Sequence, residues 1–242
     1  MHVDCTKSNL ENGAASFGGR SLHDVSPGAP PNPYICVMRA LSSVVAEFDD
    51  DGLIPLYGFG DRICGDTSVF DFSPAAAPVG VDGVVAAYAA KIASVELAGP
   101  TSFAPSIRKT MELVRDAAKK DKGKAATFTI ALIIADGQVT AVRDTVRSIV
   151  DASRHPIGII CVGVGDGPWD EMEQFDSSLP LATPSAPDGR HFDNFRFVSH
   201  ADVCARAAAA GVDAAELLAV EALHEIPDAF AACKKLKLLA AK

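Results

Sequence analysis

Two aspartates and three hydroxyls, spread over three distant stretches of a 242-residue chain, form the set of side chains best suited to chemistry. Asp4, Thr6 and Ser8 stand two apart near the start, Thr101 follows Gly99-Pro100, and Asp136 precedes Gly137. Hard divalent cations prefer all-oxygen ligand sets of this kind, and neutral hydroxyls leave the ion enough residual charge to capture an outside carboxylate. The set therefore reads as a cation site with a place for a partner's Asp or Glu. Asp-x-Thr-x-Ser alone arises by chance in many chains, so its placement decides.

Asp4 follows the apolar Val3, and Asp136 comes just after the run Thr127 to Ile134, which has the composition of a fully buried strand. Both acids are then expected at strand C-termini. In open α/β sheets that edge binds ligands, at the point where the strand order reverses. Thr101 sits in a Gly-Pro-Thr-Ser turn before a helical pattern, from which its hydroxyl can join the acids.

The elements that must position these residues alternate along the chain. Residues 9 to 33 form a long Gly-, Ser-, Pro- and Asn-rich connection, of a length that usually marks function or mobility. Helical spacing runs over Tyr34 to Phe48, Val81 to Val95, Ser106 to Lys119 and Ala141 to Ser153. Strands are expected at Leu53 to Tyr57, Ile157 to Val164 and Phe195 to Val198, with Thr67 to Phe72 as an antiparallel edge. An Ala-rich helical tail begins near residue 200, broken near Gly211 and again at Pro227. Right-handed crossovers put helices on both faces of a mostly parallel sheet, giving a Rossmann-like three-layer α/β sandwich.

The surrounding motifs carry a family resemblance. They are Asp4-Cys5-Thr6-Lys7-Ser8-Asn9, Ser21-Leu22-His23, Asn32-Pro33-Tyr34, Leu53 to Asp61, Leu97 to Pro105, Ile133 to Thr140 and Val162 to Asp170. In this order they resemble the copine-type von Willebrand factor A domain, in particular the version found in the plant RING domain ligases. The resemblance runs from Val3 to about Phe230, so one domain over residues 1–242 is expected. It implies a metal-ion-dependent adhesion site, in which Asp4, Thr6 and Ser8 match the Asp-x-Ser-x-Ser motif, with threonine in place of the first serine. Thr101 matches the loop threonine and Asp136 the second aspartate. The resemblance further implies an interaction module binding a partner's carboxylate, as the substrate-recruiting part of a ubiquitin ligase. A calcium-dependent membrane and signalling adaptor is the alternative. Mg2+ is the first expectation for the ion, with Ca2+ and Mn2+ as alternatives.

Composition narrows the classes. With 48% hydrophobic and 22% charged residues the chain can bury a sizeable core, and a formal net charge of -9 argues against a generic nucleic-acid or anionic-membrane surface. No uninterrupted apolar stretch suggests a membrane span, and Met1-His2 lacks the glycine that N-myristoylation requires. The six cysteines have no Cys-x-x-Cys pair, so structural zinc is not expected, and a reduced intracellular compartment is, the cytoplasm first, with nucleus or membrane periphery as alternatives. No RING-type Cys/His series is visible, so no catalysis is expected of this chain alone. Only Met1, His2 and Val3 precede Asp4, which implies either a fragment or a clipped first strand.

Each candidate also has a plainer reading. Asp4 suits a helix cap or a buried hydrogen-bonded acid, and Thr6, Ser8 and Thr101 suit ordinary turns. Cys5 as a nucleophile is disfavoured, because alternation points it away from Asp4 and Thr6. His23 suits packing better than ligation, and Lys7 either steers acidic partners or is simply solvated. Neither Gly58 to Gly65 nor Gly163 to Gly167 fits a nucleotide-binding fingerprint, and Trp169 suits a packed anchor. Asp-x-Thr at a strand end would also suit an aspartyl phosphotransferase, but Thr6 stands where that chemistry wants a second acid.

Overall fold

The computed structural model describes residues 1–45, 52–120, 125, 127–137 and 139–240. Its sheet is built outward from two long strands, β4 (Thr129–Ala135) and β5 (Ile157–Gly163), paired in parallel from Thr129 opposite Ile157 to Ala135 opposite Gly163. Leu132, Ile134, Ile160 and Val162 face one apolar cluster, whereas Ala131, Ile133, Ala135, Ile159 and Cys161 face a second. Burial on both faces explains why these runs are continuously apolar instead of alternating.

β1 (His2–Asp4) lies between β4 and β2 (Tyr57–Phe59), parallel to both. β3 (Phe70–Asp71) pairs antiparallel with β2 at one edge, and β6 (Phe195–Ser199) closes the other. The order β3-β2-β1-β4-β5-β6 reverses between β1 and β4. Asp4 ends β1 and Asp136 directly follows β4, so the two acids meet at the switch point.

Helices α1 (Pro33–Val45), α2 (Gly80–Ile92), α6 (His200–Ala210) and α7 (Ala214–Leu223) cover the first face. α3 (Ala104–Lys120), α4 (Val142–Ala152) and α5 (Asp170–Ser177) cover the second, completing three layers. α8 (Ile226–Lys235) packs Ala229 and Cys233 on Phe192 and Phe128.

Several elements differ from the sequence expectation. The second strand begins at Tyr57 and not Leu53, because β1 offers its first ladder partner at His2; Leu53 lies outside the strand, in an isolated bridge to Val79. α5 has no counterpart among the expected helices: it has eight residues, and the three acids of its first turn hide the apolar pair Met172 and Phe175 that it buries. Pro227 does not break the tail. It occupies the first turn of α8, where its missing N–H costs nothing, and the break falls just before it. The expected helix over Tyr34 to Phe48 is present to Val45, and residues 46–48 lie outside the described residues.

Candidate cation site

Asp4 and Asp136 are fully buried at the carboxyl edge of the sheet, a costly position for two acids. The Thr6 amide donates to Asp4 Oδ1 at 2.8 Å, and the Ser8 hydroxyl donates to Asp136 Oδ1 at 3.0 Å. Thr6 Oγ1 and Ser8 Oγ are themselves 3.0 Å apart, so one hydrogen-bonded chain connects the Asp-x-Thr-x-Ser turn to the second aspartate. The turn is held by a short 3-10 helix over Lys7–Leu10.

Thr101 is buried on a loop tied to both strands' ends. The Lys7 amide donates to Ala98 O at 2.8 Å, and the Thr140 amide donates to Thr101 O at 3.0 Å. The fold thus joins Asp4, Thr6, Ser8 and Asp136 directly and brings Thr101 alongside through its backbone. Among the described residues, no hydrogen bond links the Thr101 hydroxyl to the other four.

The electrostatics of the pair are those of a site lacking positive charge. Asp4 Oδ2 and Asp136 Oδ2 are buried without a hydrogen-bond partner, and neither acid has an ion-pair partner among the described residues. Burial, followed by the nearby Asp136 charge, holds the Asp4 carboxyl well above the ordinary carboxylate range. Burial likewise raises Asp136 to about 6, although the Ser8 hydrogen bond pulls the other way. A divalent ion bound by these oxygens would remove both the repulsion and the unpaired acceptors. The residues therefore fit a hard cation held by two carboxylates and neutral hydroxyls.

Behind Asp4 stands a polar relay. Burial lowers the His23 imidazole to about 4, so it is neutral at pH 7. His23 Nε2 lies 2.8 Å from the Asp4 carbonyl, which only accepts, so this nitrogen carries the proton. Nδ1 then accepts from the Tyr88 hydroxyl at 2.7 Å, and that oxygen accepts from Asn32 Nδ2 at 3.2 Å. Asn32 Oδ1 in turn accepts the Ile35 amide at 3.0 Å, capping α1 with Pro33 as its first helical residue. His23 stacks on Tyr34 at 4.2 Å, and the Tyr34 hydroxyl donates to Asn9 Oδ1 at 2.7 Å. His23 is accordingly a packed, hydrogen-bonded support for the Asp4 backbone.

The long 9 to 33 connection folds back over the site. Asn12 Nδ2 donates to the Asp136 carbonyl, and the Asp166 carboxylate accepts the Ala15 and Ser16 amides, each at 2.8 Å. These amides hold the Asp166 carboxyl below its usual range. Sequence reasoning assigned no role to Asn9, Asn12, Tyr34, Tyr88 or Asp166. Tyr88 had a signal, as the one large residue in the Ala-rich run Ala86 to Ala90. Cys5 is buried in the first apolar cluster, with burial pushing its thiol well up, so it offers no nucleophile. Trp169 packs on Phe197 at 5.6 Å between ring centres.

Gly60, at φ +79°, has backbone geometry that a side chain disfavours, and a Cβ there would collide with Thr6 Cγ2. Gly60→Ala is expected to cost about 2 kcal/mol or more in urea unfolding and to displace Thr6. A change under about 0.5 kcal/mol would mean that the close approach does not matter.

The copine family model matches residues 21–242. The chain belongs to the copine family. Among relatives, this copine-family chain is 40% identical over 250 residues to E3 ubiquitin-protein ligase RGLG5 of Arabidopsis thaliana, covering 98% of this chain and 54% of the relative. It is 42% identical over 238 residues to Copine family protein 1 of Caenorhabditis elegans, covering 98% of this chain and 20% of the relative. The chain thus spans about half, or a fifth, of the length of these relatives. A solved von Willebrand factor type A protein from Catenulispora acidiphila superposes with a TM-score of 0.47 at 14% identity, over 91% of this chain and 41% of that one. The six-stranded sheet, parallel except for its β2–β3 edge pair and covered by helices on both faces, is the three-layer α/β sandwich that the sequence pattern predicts. No helix among the described residues is long and apolar enough to cross a membrane.

Proposed function

We propose that this chain is a protein-interaction module that recruits a partner through a divalent cation. Asp4, Thr6, Ser8, Thr101 and Asp136 hold the ion, and the partner supplies an Asp or Glu carboxylate. The observation that carries this reading is the pair of buried aspartate Oδ2 atoms without hydrogen-bond partners at the sheet's switch point, on acids whose Oδ1 atoms accept the Thr6 amide and the Ser8 hydroxyl. Mg2+ suits a five-oxygen set with two charges, and Ca2+ or Mn2+ accepts the same oxygens. The ion, when bound, supplies a positive charge that attracts an acidic partner. The chain's own residues orient the ligands and exclude water from one side of the site. Kinship with RGLG5 supports a role as the substrate-recruiting part of a ubiquitin ligase, with the ligase chemistry residing outside this domain.

Thermal unfolding with Mg2+, Mn2+, Ca2+ or EDTA tests the site, because a ligand that binds only the folded state must stabilise it. At ion concentrations near 100 times the dissociation constant the gain is about 2.7 kcal/mol. The gain should vanish in Asp136→Ala. No response to any of the three ions would remove the metal from the proposal.

The same experiment carries a pH dependence. Folding raises Asp136 from 3.8 to about 6, so the metal-free fold loses stability as pH rises through that window and carries the full penalty above it. His23 acts oppositely, since folding lowers it from 6.5 to about 4 and stability is lost as pH falls through that range. Its contribution is common to the metal-free and metal-loaded forms and cancels in their difference. Ion-induced stabilisation is therefore expected to be large at pH 7.5 and small at pH 5, where protons compete for the carboxylates. An equal shift at both values would place the ion elsewhere.

A further inference from the structure

A loop packed against this site carries an apolar side chain that is left in water. The loop from Gly60 to Gly65 leaves β2 at the same carboxyl edge from which Asp4 leaves β1, with Phe59 in register with Asp4. It is pinned against both stretches that would hold the ion. Gly60 abuts Thr6, a Cβ on Gly65 would lie 3.9 Å from Gly99 O, and Asp61 bridges Leu97, whose neighbour Ala98 pairs with Thr6. The loop is rigid: the Asp61 carboxylate accepts the Cys64 amide at 3.0 Å, and the Gly60 amide donates to Gly65 O at 3.2 Å. At its tip Ile63 is 91% exposed, the most exposed of the large apolar side chains among the described residues. Leu10, which ends the short 3-10 helix that begins beside Ser8, is 47% exposed. Exposed Lys7 has no ion-pair partner among the described residues.

An isoleucine left in water forgoes the free energy of burial, and the loop's hydrogen bonds hold its backbone in one place. The nearby cation site and Lys7 both favour a negative group, so whatever covers Ile63 approaches with a carboxylate. We infer that Ile63, assisted by Leu10, selects a protein segment in which the ion-binding Asp or Glu is flanked by an aliphatic or aromatic residue. This inference rests on the proposed cation site and adds to it the residue that sets specificity. The ion fixes the acid, and Ile63 reads the neighbouring side chain. A few side chains that become fully desolvated carry most of an interface's energy, while charge complementarity fixes its register.

A random peptide library displayed on phage, selected on the immobilised chain in Mg2+ and eluted with EDTA, tests this. The expected consensus is an acidic residue adjacent to a large apolar one. A synthetic peptide of that consensus should bind Ile63→Ser at least tenfold more weakly, as should the peptide with its apolar residue changed to Ser. The ion-induced thermal shift of Ile63→Ser should match that of the unaltered chain, which separates loss of the anchor from loss of the site. If the shift persists while the consensus lacks an apolar neighbour, or while Ile63→Ser binds as well, the inference is overturned and the cation site stands. If no ion shifts the melting temperature of the unaltered chain, both fall together. A library that yields no EDTA-eluted consensus, despite a normal ion shift, also overturns the inference.

Discussion

Asp4→Asn is expected to raise the melting temperature of the metal-free protein at pH 7.5 and to abolish its response to divalent ions, both read by thermal unfolding. An asparagine keeps the Oδ1 acceptor for the Thr6 amide and removes one of two buried charges. Its amide group replaces the unpartnered Oδ2 with a donor beside Asp136. Burial raises both acids and the Asp136 charge raises Asp4 further, so removing one of them relieves a buried-charge penalty; the gain is about 2 kcal/mol, on the order of one buried unpaired polar group. At this chain length that is about 4–8 °C. The ion, however, loses one of its two charged ligands, so the stabilisation expected from Mg2+ or Mn2+ disappears. The two effects have opposite signs, which ordinary damage to a buried site cannot reproduce. A variant less stable than the parent without metal would mean that Asp4 is satisfied in some other way. A variant that keeps its ion response would exclude Asp4 from the ligand set.

The second large effect belongs to His23. His23→Ala removes the donor to the Asp4 carbonyl, the acceptor of the Tyr88 hydroxyl and the ring stacked on Tyr34, and leaves a cavity at a buried position. The combined loss is about 3 kcal/mol, on the order of a large-to-small core substitution with a broken hydrogen bond. The melting temperature should fall by roughly 6–12 °C. Tyr88→Phe keeps its ring and loses only the hydroxyl, for about 1 kcal/mol. Because both side chains belong to one relay, the double variant should be less destabilised than the sum. The ion response of His23→Ala should weaken several-fold without vanishing, since His23 positions the Asp4 backbone and contributes no ligand. A loss under about 1 kcal/mol would show that the relay is decorative.

The alternation of strands and helices and the antiparallel edge were legible because each is written in local pattern. Continuous apolar runs mark β4 and β5, which are buried on both faces, and acids directly after such runs mark the carboxyl edge of a sheet. Weakly patterned pieces were not legible. The eight-residue α5 buries only Met172 and Phe175, and the start of β2 is decided by where its neighbour β1 begins, a fact external to its own residues.

The sequence by itself determined which oxygens are available and which strand ends carry them. Tertiary structure decided that Asp4 and Asp136 share one buried position, because only the strand order β2-β1-β4 brings those ends together. It also decided what supports them. The His23–Tyr88–Asn32 relay, the Asn12 and Asp166 clasps and the approach of Gly60 to Thr6 join residues from distant parts of the chain. Hydrogen bonds and burial across such separations follow from the packing of layers, to which no local periodicity gives access.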